Sequence, residues 1–337
     1  MGNIWLITGG AGFIGANFVE RAYHCYPELH FVILDSLTYA GDTYRIRDLL
    51  NSKRVTFQHG DIRDTKFIEQ LLENYDVSTI VHFAAESHVD RSIVTPSQFI
   101  ETNVEGTYHL LEAARKYWVN MDGKKFIHVS TDEVYGSLEG DMPPFTEQST
   151  YQPNSPYSAS KAASDHLVRA WFKTYQLPAI ITHCSNNYGP WQHPEKLIPS
   201  MIIKCINGQK LPVYGDGLQI RDWIYVIDHC DALLSVIAKG QAGETYNIGG
   251  DNEMTNIDVV QRICDKVDEL TQLPKGTSSK LIEHVKDRPG HDRRYAISNL
   301  KIKNELSWTP KYDFNYYLDL TIRWYLENVA WYRNLEK

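Results

Sequence analysis

Thr8-Gly9-Gly10-Ala11-Gly12-Phe13-Ile14-Gly15 is the stretch on which the fold turns. It closes an apolar, β-branched run and opens a segment with helical spacing, so it reads as strand, tight turn and helix. Gly9, Gly12 and Gly15 stand in G-x-x-G-x-x-G spacing. Glycines there let the turn tighten, let backbone approach a pyrophosphate, and let the helix lie close to the sheet. N–H groups at the helix start, with the dipole behind them, then favour an anion. Asp35 closes the next apolar run, 20 residues beyond Gly15. A carboxylate there accepts from an adenosine ribose 2′-hydroxyl and repels a 2′-phosphate, which favours NAD over NADP. Asp61 ends the third apolar run on the same sheet edge. It either receives the adenine amine or caps the next turn, and the sequence leaves both readings open.

The alternation continues through the first half. Residues 3–8, 31–35, 55–59, 79–83 and 125–130 are strand-like, while 13–23, 66–74 and 96–118 have helical spacing. A long helix at 157–175 and a strand at 179–183 follow. Continuous apolar strands separated by helices predict a parallel sheet covered on both faces. Right-handed crossovers make it a Rossmann-like, doubly wound α/β fold. Beyond about residue 185, Pro, Gly, Asn and Trp become frequent and the elements shorten. This texture predicts an NAD-binding domain over residues 1–185 and a smaller lobe over 186–337, interleaved with it rather than joined by a linker.

Composition removes other classes. Of 337 residues, 34 are Lys or Arg and 42 Asp or Glu, a formal charge of −8 with no basic block. Such a chain is a poor match for a nucleic-acid backbone. No run approaches 18 apolar residues, and residues 1–8 carry no charged leader, so neither a membrane span nor a signal peptide is expected. Cys25, Cys184, Cys205, Cys230 and Cys264 lack C-x-x-C spacing, which predicts reduced thiols and a cytoplasmic protein. No His/Asp/Glu spacing suggests a metal, and no G-x-S-x-G elbow suggests a hydrolase.

Two short segments carry chemistry. Tyr157-Ser158-Ala159-Ser160-Lys161 follows Pro153 and Pro156, and on a helix Tyr157 and Lys161 share one face. A cation beside a phenol favours phenolate, so Tyr157 is expected to have a lowered pKa and to act as a base. Alone, the pattern equally describes an exposed helix face. Ser130-Thr131-Asp132-Glu133-Val134-Tyr135-Gly136 follows the fifth strand, beyond whose carboxyl end ligands bind in such sheets. Simple alcohol oxidation needs one base. Two further carboxylates suggest an acid–base pair for proton removal beside a new carbonyl and loss of water, with Glu133 expected to raise the pKa of Asp132. The plainer alternative is a solvated turn that caps a helix.

Together these residues resemble the nucleotide-sugar 4,6-dehydratases of the extended short-chain dehydrogenase/reductase family, over essentially the whole chain. The resemblance also rests on Ala84–Ser92, Ser185–Pro190, Pro194–Pro199, Arg221-Asp222-Trp223 and Asp287–Tyr295, and above all on Thr131-Asp132-Glu133. It implies that Tyr157 takes the C4 hydroxyl proton, with Thr131 bonded to that hydroxyl and Lys161 beside it. Glu133 then removes the C5 proton and Asp132 protonates the leaving C6 hydroxyl. NAD is implied as a cofactor retained and regenerated in each turnover. Besides Gly9, Gly12 and Gly15, it would meet Phe13, Ile14, Asp35, Ser36, Leu37 and Thr38. Asp61, Ile62, Phe83, Ala84, Ala85, Ser87 and Thr102 would line it further along, with Tyr157, Lys161 and Asn187 at the nicotinamide end.

On the substrate side the resemblance implies Ser87, Thr131 and Asn186 at sugar and phosphate. Lys196, Leu197, Pro212, Val213, Tyr214, Arg221, Asn256, Arg288 and His291 would bind the nucleoside diphosphate. Forked guanidiniums suit phosphate oxygens. Read without the resemblance, Arg288 with Arg293-Arg294 is a solvated charge run, Asn256 a helix cap, and His88 and His291 ordinary histidines. The implied substrate is dTDP-glucose; a UDP-sugar stays open, because nothing here separates thymine from uracil. A 4-epimerase is disfavoured by Asp132 and Glu133, and a non-catalytic NAD-binding regulator by the four chemical residues together. A homodimer is expected, with no nucleic-acid or membrane partner. His183 stands where the resemblance leads one to expect Arg.

Overall fold

β1 (Ile4–Thr8), β2 (His30–Asp35), β3 (Val55–His59), β4 (Val77–His82), β5 (Lys125–Thr131) and β6 (Ala179–Cys184) form the core of the sheet; β1, β2 and β6 are mostly apolar, and β4 and β6 are buried at every residue. Burial on both faces is what a parallel sheet between helix layers requires. The computed structural model describes residues 3–311 and 313–335; Met1 and Gly2, at the head of the expected first strand, and Glu336 and Lys337, at the end of the expected second lobe, lie outside the described residues. All pairings in the central sheet are parallel, in the order Thr245–Ile248, β6, β5, β4, β1, β2, β3. The chain runs outward from β1 to β3, then returns to the other side of β1 through β4. That reversal opens a crevice beyond the carboxyl ends of β1 and β4.

The seventh strand was not anticipated. Thr245–Ile248 lies within the second half of the sequence yet pairs with β6, Asn247 opposite His183. The helix just before it, Val226–Lys239, packs against Phe13–Cys25, and Arg21 Nε meets Asp231 Oδ1 at 2.6 Å across them. Ile224, Val226 and Leu233 join Phe18 and Val19 in one apolar core. This is the concrete form of the interleaving, and short amphipathic elements carry no signal of which lobe they join.

The expected single helix at 96–118 is also not regular. Pro96–Phe99 and Gly106–Tyr117 are α-helical, but Ile100–Glu105 between them is a π-helical turn. Asn103 lies in that turn. Its carbonyl accepts from Thr107 Oγ1 (2.6 Å) and Ser164 Oγ (2.7 Å), and its amide clasps both the N–H and carbonyl of Glu86. The widened turn thus ties the crevice wall at Glu86 to the helix Pro156–Tyr175.

The second lobe holds a three-stranded sheet (Glu253–Thr255, Ile220–Tyr225, Asn186–Tyr188) and a two-stranded one (Ile282–Val285, Leu211–Tyr214). Helices Leu197–Ile206, Asn256–Leu270 and Phe314–Glu327 bury Ile202, Val260, Trp223 and Tyr325 in a separate apolar core. No helix among the described residues is long and apolar enough to cross a membrane.

Candidate active site

A cleft of about 580 Å³ lies between the lobes. Its floor is the glycine turn. Gly9 has φ +70°, and a Cβ on it would stand 2.6 Å from Ala84 N; a Cβ on Gly15 would stand 2.2 Å from Gly9 O. Neither position tolerates a side chain. The helix Phe13–Cys25 begins at Gly12 with no side-chain cap and no acidic residue in its first turn, leaving its first N–H groups to face a ligand. Asp35 stands beside them. Its two oxygens accept from Ala11 N and Leu37 N, each at 2.9 Å, so the carboxylate also anchors the glycine turn to the loop after β2. Burial pushes its pKa up. These features fit a dinucleotide: a close-approach backbone, an uncapped helix start and an acid at the ribose position.

The cleft gathers most of the expected cofactor residues: Phe13, Ile14, Ser36, Thr38, Asp61, Ile62, Phe83, Ala84, Ala85, Ser87, Thr102 and Asn187 line it with Gly9, Gly12, Gly15 and Asp35. Leu37 does not; it takes φ +51° and turns outward. Asp61 does cap its turn, accepting from Arg63 N at 2.8 Å and pairing with the Arg63 guanidinium. Burial works against that ionised carboxylate, but Arg63 wins and holds its pKa below the usual value.

At the inner end of the cleft stand Thr131, Asp132, Glu133, Tyr157 and Lys161. β5 delivers the first three. Thr131 Oγ1 caps the short 3-10 turn Asp132–Tyr135 by accepting from Glu133 N at 3.3 Å. The helix Pro156–Tyr175 delivers the other two, its start fixed by a capping box of Ser155 and Ser158 with Pro156 at its first position. Lys161 does not act on Tyr157 as expected. Its Nζ donates to Val129 O at 2.9 Å, and burial lowers its pKa. The Tyr157 phenol is held well above its ordinary value by burial and next by the charge of Glu133, while a hydrogen bond with Thr131 pulls the other way.

Asp132 is raised well above the carboxylate range, chiefly by burial and only then by Glu133. Its Oδ2 is buried with no hydrogen-bond partner among the described residues. Burial raises Glu133 too, but Arg288, Arg221 and Lys196 oppose it. The two adjacent carboxyls are both raised by burial but differ in their surroundings: a neighbouring negative charge adds to the rise of Asp132, whereas three cations oppose that of Glu133.

Those cations come from the second lobe. Lys196 lines the cleft and donates to Ser87 O at 2.8 Å; Asn186 lines it as well. Arg221, Arg288, His291, Pro212, Val213, Tyr214, Asn256 and Leu197 are not in the cleft lining. Arg221 is buried and spends its guanidinium on backbone, donating to Ile220 O (2.7 Å) and Asp292 O (2.9 Å). Arg288 approaches Asp90 at 3.6 Å, and His291 approaches Asp287 at 2.6 Å. Val213 is a core residue, whereas Tyr214 is exposed beside His291. The helix Asn256–Leu270 is capped by Thr255, not Asn256, whose Oδ1 is buried without a partner among the described residues.

Two lining residues, Tyr39 and His193, had no sequence signal. Tyr39 donates to Glu195 Oε1 at 3.1 Å, His88 and His193 flank the same carboxylate at 3.6 and 3.8 Å, and Arg91 covers the Tyr39 ring. They join three segments distant in sequence at the cleft mouth. Only their partners, in the Ala84–Ser92 and Pro194–Pro199 segments, were hinted at.

The model of the GDP-mannose 4,6 dehydratase family matches residues 6–321. A dTDP-glucose 4,6-dehydratase of Xanthomonas campestris pv. campestris (strain B100) is 53% identical over 333 residues, covering 97% of this chain and 94% of its own. One from Escherichia coli (strain K12) is 51% identical over 344 residues, covering 98% and 95%. Among solved structures, a dTDP-glucose 4,6-dehydratase of Streptomyces venezuelae with NAD bound superposes with TM-score 0.91 at 45% identity, covering 98% of this chain and 99% of that one. A UDP-glucose 4-epimerase of Thermotoga maritima gives TM-score 0.85 at 27% identity, covering 97% and 99%.

Proposed function

This chain belongs to the GDP-mannose 4,6 dehydratase family, and from that premise we propose that it converts dTDP-glucose to dTDP-4-keto-6-deoxyglucose as a hydro-lyase with a retained NAD. The observation that carries the reading is the unlike pair Asp132 and Glu133 beside Tyr157 in a cleft floored by Gly9, Gly12 and Gly15. The glycine turn, Asp35, Thr102 and Asn187 would hold NAD, which when bound would supply a hydride acceptor for C4 and a donor for C6.

The chain's own residues manage the protons. Tyr157 Oη takes the C4 hydroxyl proton while Thr131 hydrogen-bonds that hydroxyl. The ketone so formed acidifies the neighbouring C5–H, and Glu133, whose charge three cations sustain, removes that proton. Asp132, kept neutral by burial, protonates the C6 hydroxyl as it leaves as water. Arg221, Arg288 and Lys196 bring positive charge to the diphosphate side, so a chain of net charge −8 still attracts an anionic substrate. An epimerase needs the oxidation but neither carboxyl, so their placement favours dehydration.

Incubation with dTDP-, UDP- and GDP-hexoses, followed by NMR of the products, tests this reading. The expected result is a 4-keto-6-deoxy product from dTDP-glucose without added NAD; no turnover of any of the three overturns it. We also assign a homodimer in the cytoplasm. The exposed Ile100, Tyr108 and Tyr175, on the segments Ile100–Glu105, Gly106–Tyr117 and Pro156–Tyr175, support the dimer, and the free cysteines support the cytoplasm. Sedimentation as a monomer at micromolar concentration would contradict the dimer.

A further inference from the structure

Behind the cleft, between the sheet and the helix Pro156–Tyr175, lies a fully buried polar network that none of the proposed steps uses. His183, on β6, is at its centre with no exposure to solvent. Its Nδ1 is 2.8 Å from Tyr135 Oη, and its Nε2 is 3.0 Å from Asp165 Oδ2 and 3.0 Å from Tyr151 Oη. Asp165 also accepts from Ser130 Oγ at 3.1 Å, and His128 Nε2 approaches its other oxygen at 3.2 Å.

The donors and acceptors can be counted. Asn247 Nδ2 donates to Phe145 O at 3.2 Å, an atom that only accepts, so Asn247 Oδ1 must be the atom facing Tyr135. Tyr135 gives its single proton to that oxygen at 2.9 Å. Tyr135 Oη can then only accept from His183, which places a proton on Nδ1. On the other side of the ring, burial opposes ionisation of Asp165, but bonds from His128 and His183 overcome it and hold the carboxylate below its usual range. Nε2 is shared between Asp165 Oδ2, which can only accept, and Tyr151 Oη, which can also donate, so the ring ties Tyr135 on one side to Asp165 and Tyr151 on the other.

The positions of the partners matter as much as their protons. Asp165 is one helical turn beyond Lys161 on the helix that carries Tyr157. Tyr135 closes the 3-10 turn that carries Asp132 and Glu133. We propose that His183, held between Tyr135 and Asp165, acts as a positioning residue: it braces the turn bearing Asp132 and Glu133 against the helix bearing Tyr157, and so sets the elimination half of the site against the oxidation half. This deepens the proposed dehydration and rests on it.

The test uses the full-length protein with its bound cofactor. In single turnover on dTDP-glucose, H183Q and Y135F should each slow elimination by about ten- to a hundredfold, the scale expected of a misplaced catalytic group, while C4 oxidation and KM change little. Reduced cofactor then accumulates. Because both substitutions cut the same brace, the double variant should be no slower than the worse single one. Equal slowing of both steps, or additive effects, overturn the proposal. If H183Q does not fold, Y135F alone decides: selective slowing of elimination supports the brace, and unchanged elimination refutes it. Wild-type protein inactive on every nucleotide sugar would sink the dehydratase reading instead.

Discussion

Lys161 Nζ donates to the carbonyl of Val129 at 2.9 Å, one helical turn from Tyr157. The ammonium thus pins the helix Pro156–Tyr175 to β5, and burial leaves the neighbouring phenol protonated far above neutral pH. The base must therefore be made by ligand binding. Cofactor-free protein should show no extra tyrosinate absorbance relative to Y157F below pH 10, and loading with NAD, whose nicotinamide is cationic, should bring that ionisation down. A Tyr157 ionised at neutral pH in cofactor-free protein would contradict this.

Glu133→Gln and Asp132→Asn separate the two halves of the reaction. Each removes one proton carrier for elimination and leaves Tyr157 in place, so elimination should slow by roughly 10²- to 10⁴-fold. Absorbance of reduced cofactor should rise and persist in single turnover. An unchanged steady-state rate would refute either assignment.

Gly15→Ala should empty the cofactor site. Its Cβ would stand 2.2 Å from Gly9 O, a backbone atom that cannot yield without reshaping the turn. The expected outcome is protein purified with little or no NAD, measured by release on denaturation. Full NAD occupancy would show that the turn is looser than described.

How much of this was legible in the sequence follows from how local each feature is. The glycine turn, Asp35, and the Tyr157 and Lys161 pair are set by spacing within one strand–turn–helix unit, and the structure places them together. The trio Lys196, Arg221 and Arg288 around Glu133 joins distant segments, and only the resemblance drew them together. Thr245–Ile248 on the sheet edge and Glu195 under Tyr39 arise from pairings that no periodicity encodes. The π-helical turn at Ile100–Glu105 escaped because it is dictated by what Asn103 must reach, not by its neighbours in sequence. The expected lowering of Tyr157 by Lys161 failed for a related reason: spacing placed the ammonium on the right face, but burial decided both groups' charges.

His229 makes stability depend on pH. Asn187 Nδ2 donates to Ser185 O, so Asn187 Oδ1 accepts from His229 Nδ1 at 2.9 Å and Nε2 is left bare and buried. Burial lowers the pKa to about 3, against 6.5 in an unfolded chain. Between those values the unfolded state binds more protons, so this contribution is present above pH 6.5 and is lost as pH falls toward 3. Each unit in that window costs about 1.4 kcal/mol. Urea unfolding should therefore show a shallower loss in H229Q than in wild type between pH 6 and 4 (roughly 1 kcal/mol per unit). Parallel curves would argue against a neutral, buried His229.

The central claim is that one cleft oxidises C4, expels water across C5 and C6, and returns the same hydride to C6. Its most direct test is turnover of dTDP-glucose carrying deuterium at C4, without added NAD, followed by NMR of the product. The account predicts a 4-keto-6-deoxy sugar with the deuterium in the C6 methyl group. Deuterium retained at C4 in an epimerised sugar, or lost to solvent, would contradict it.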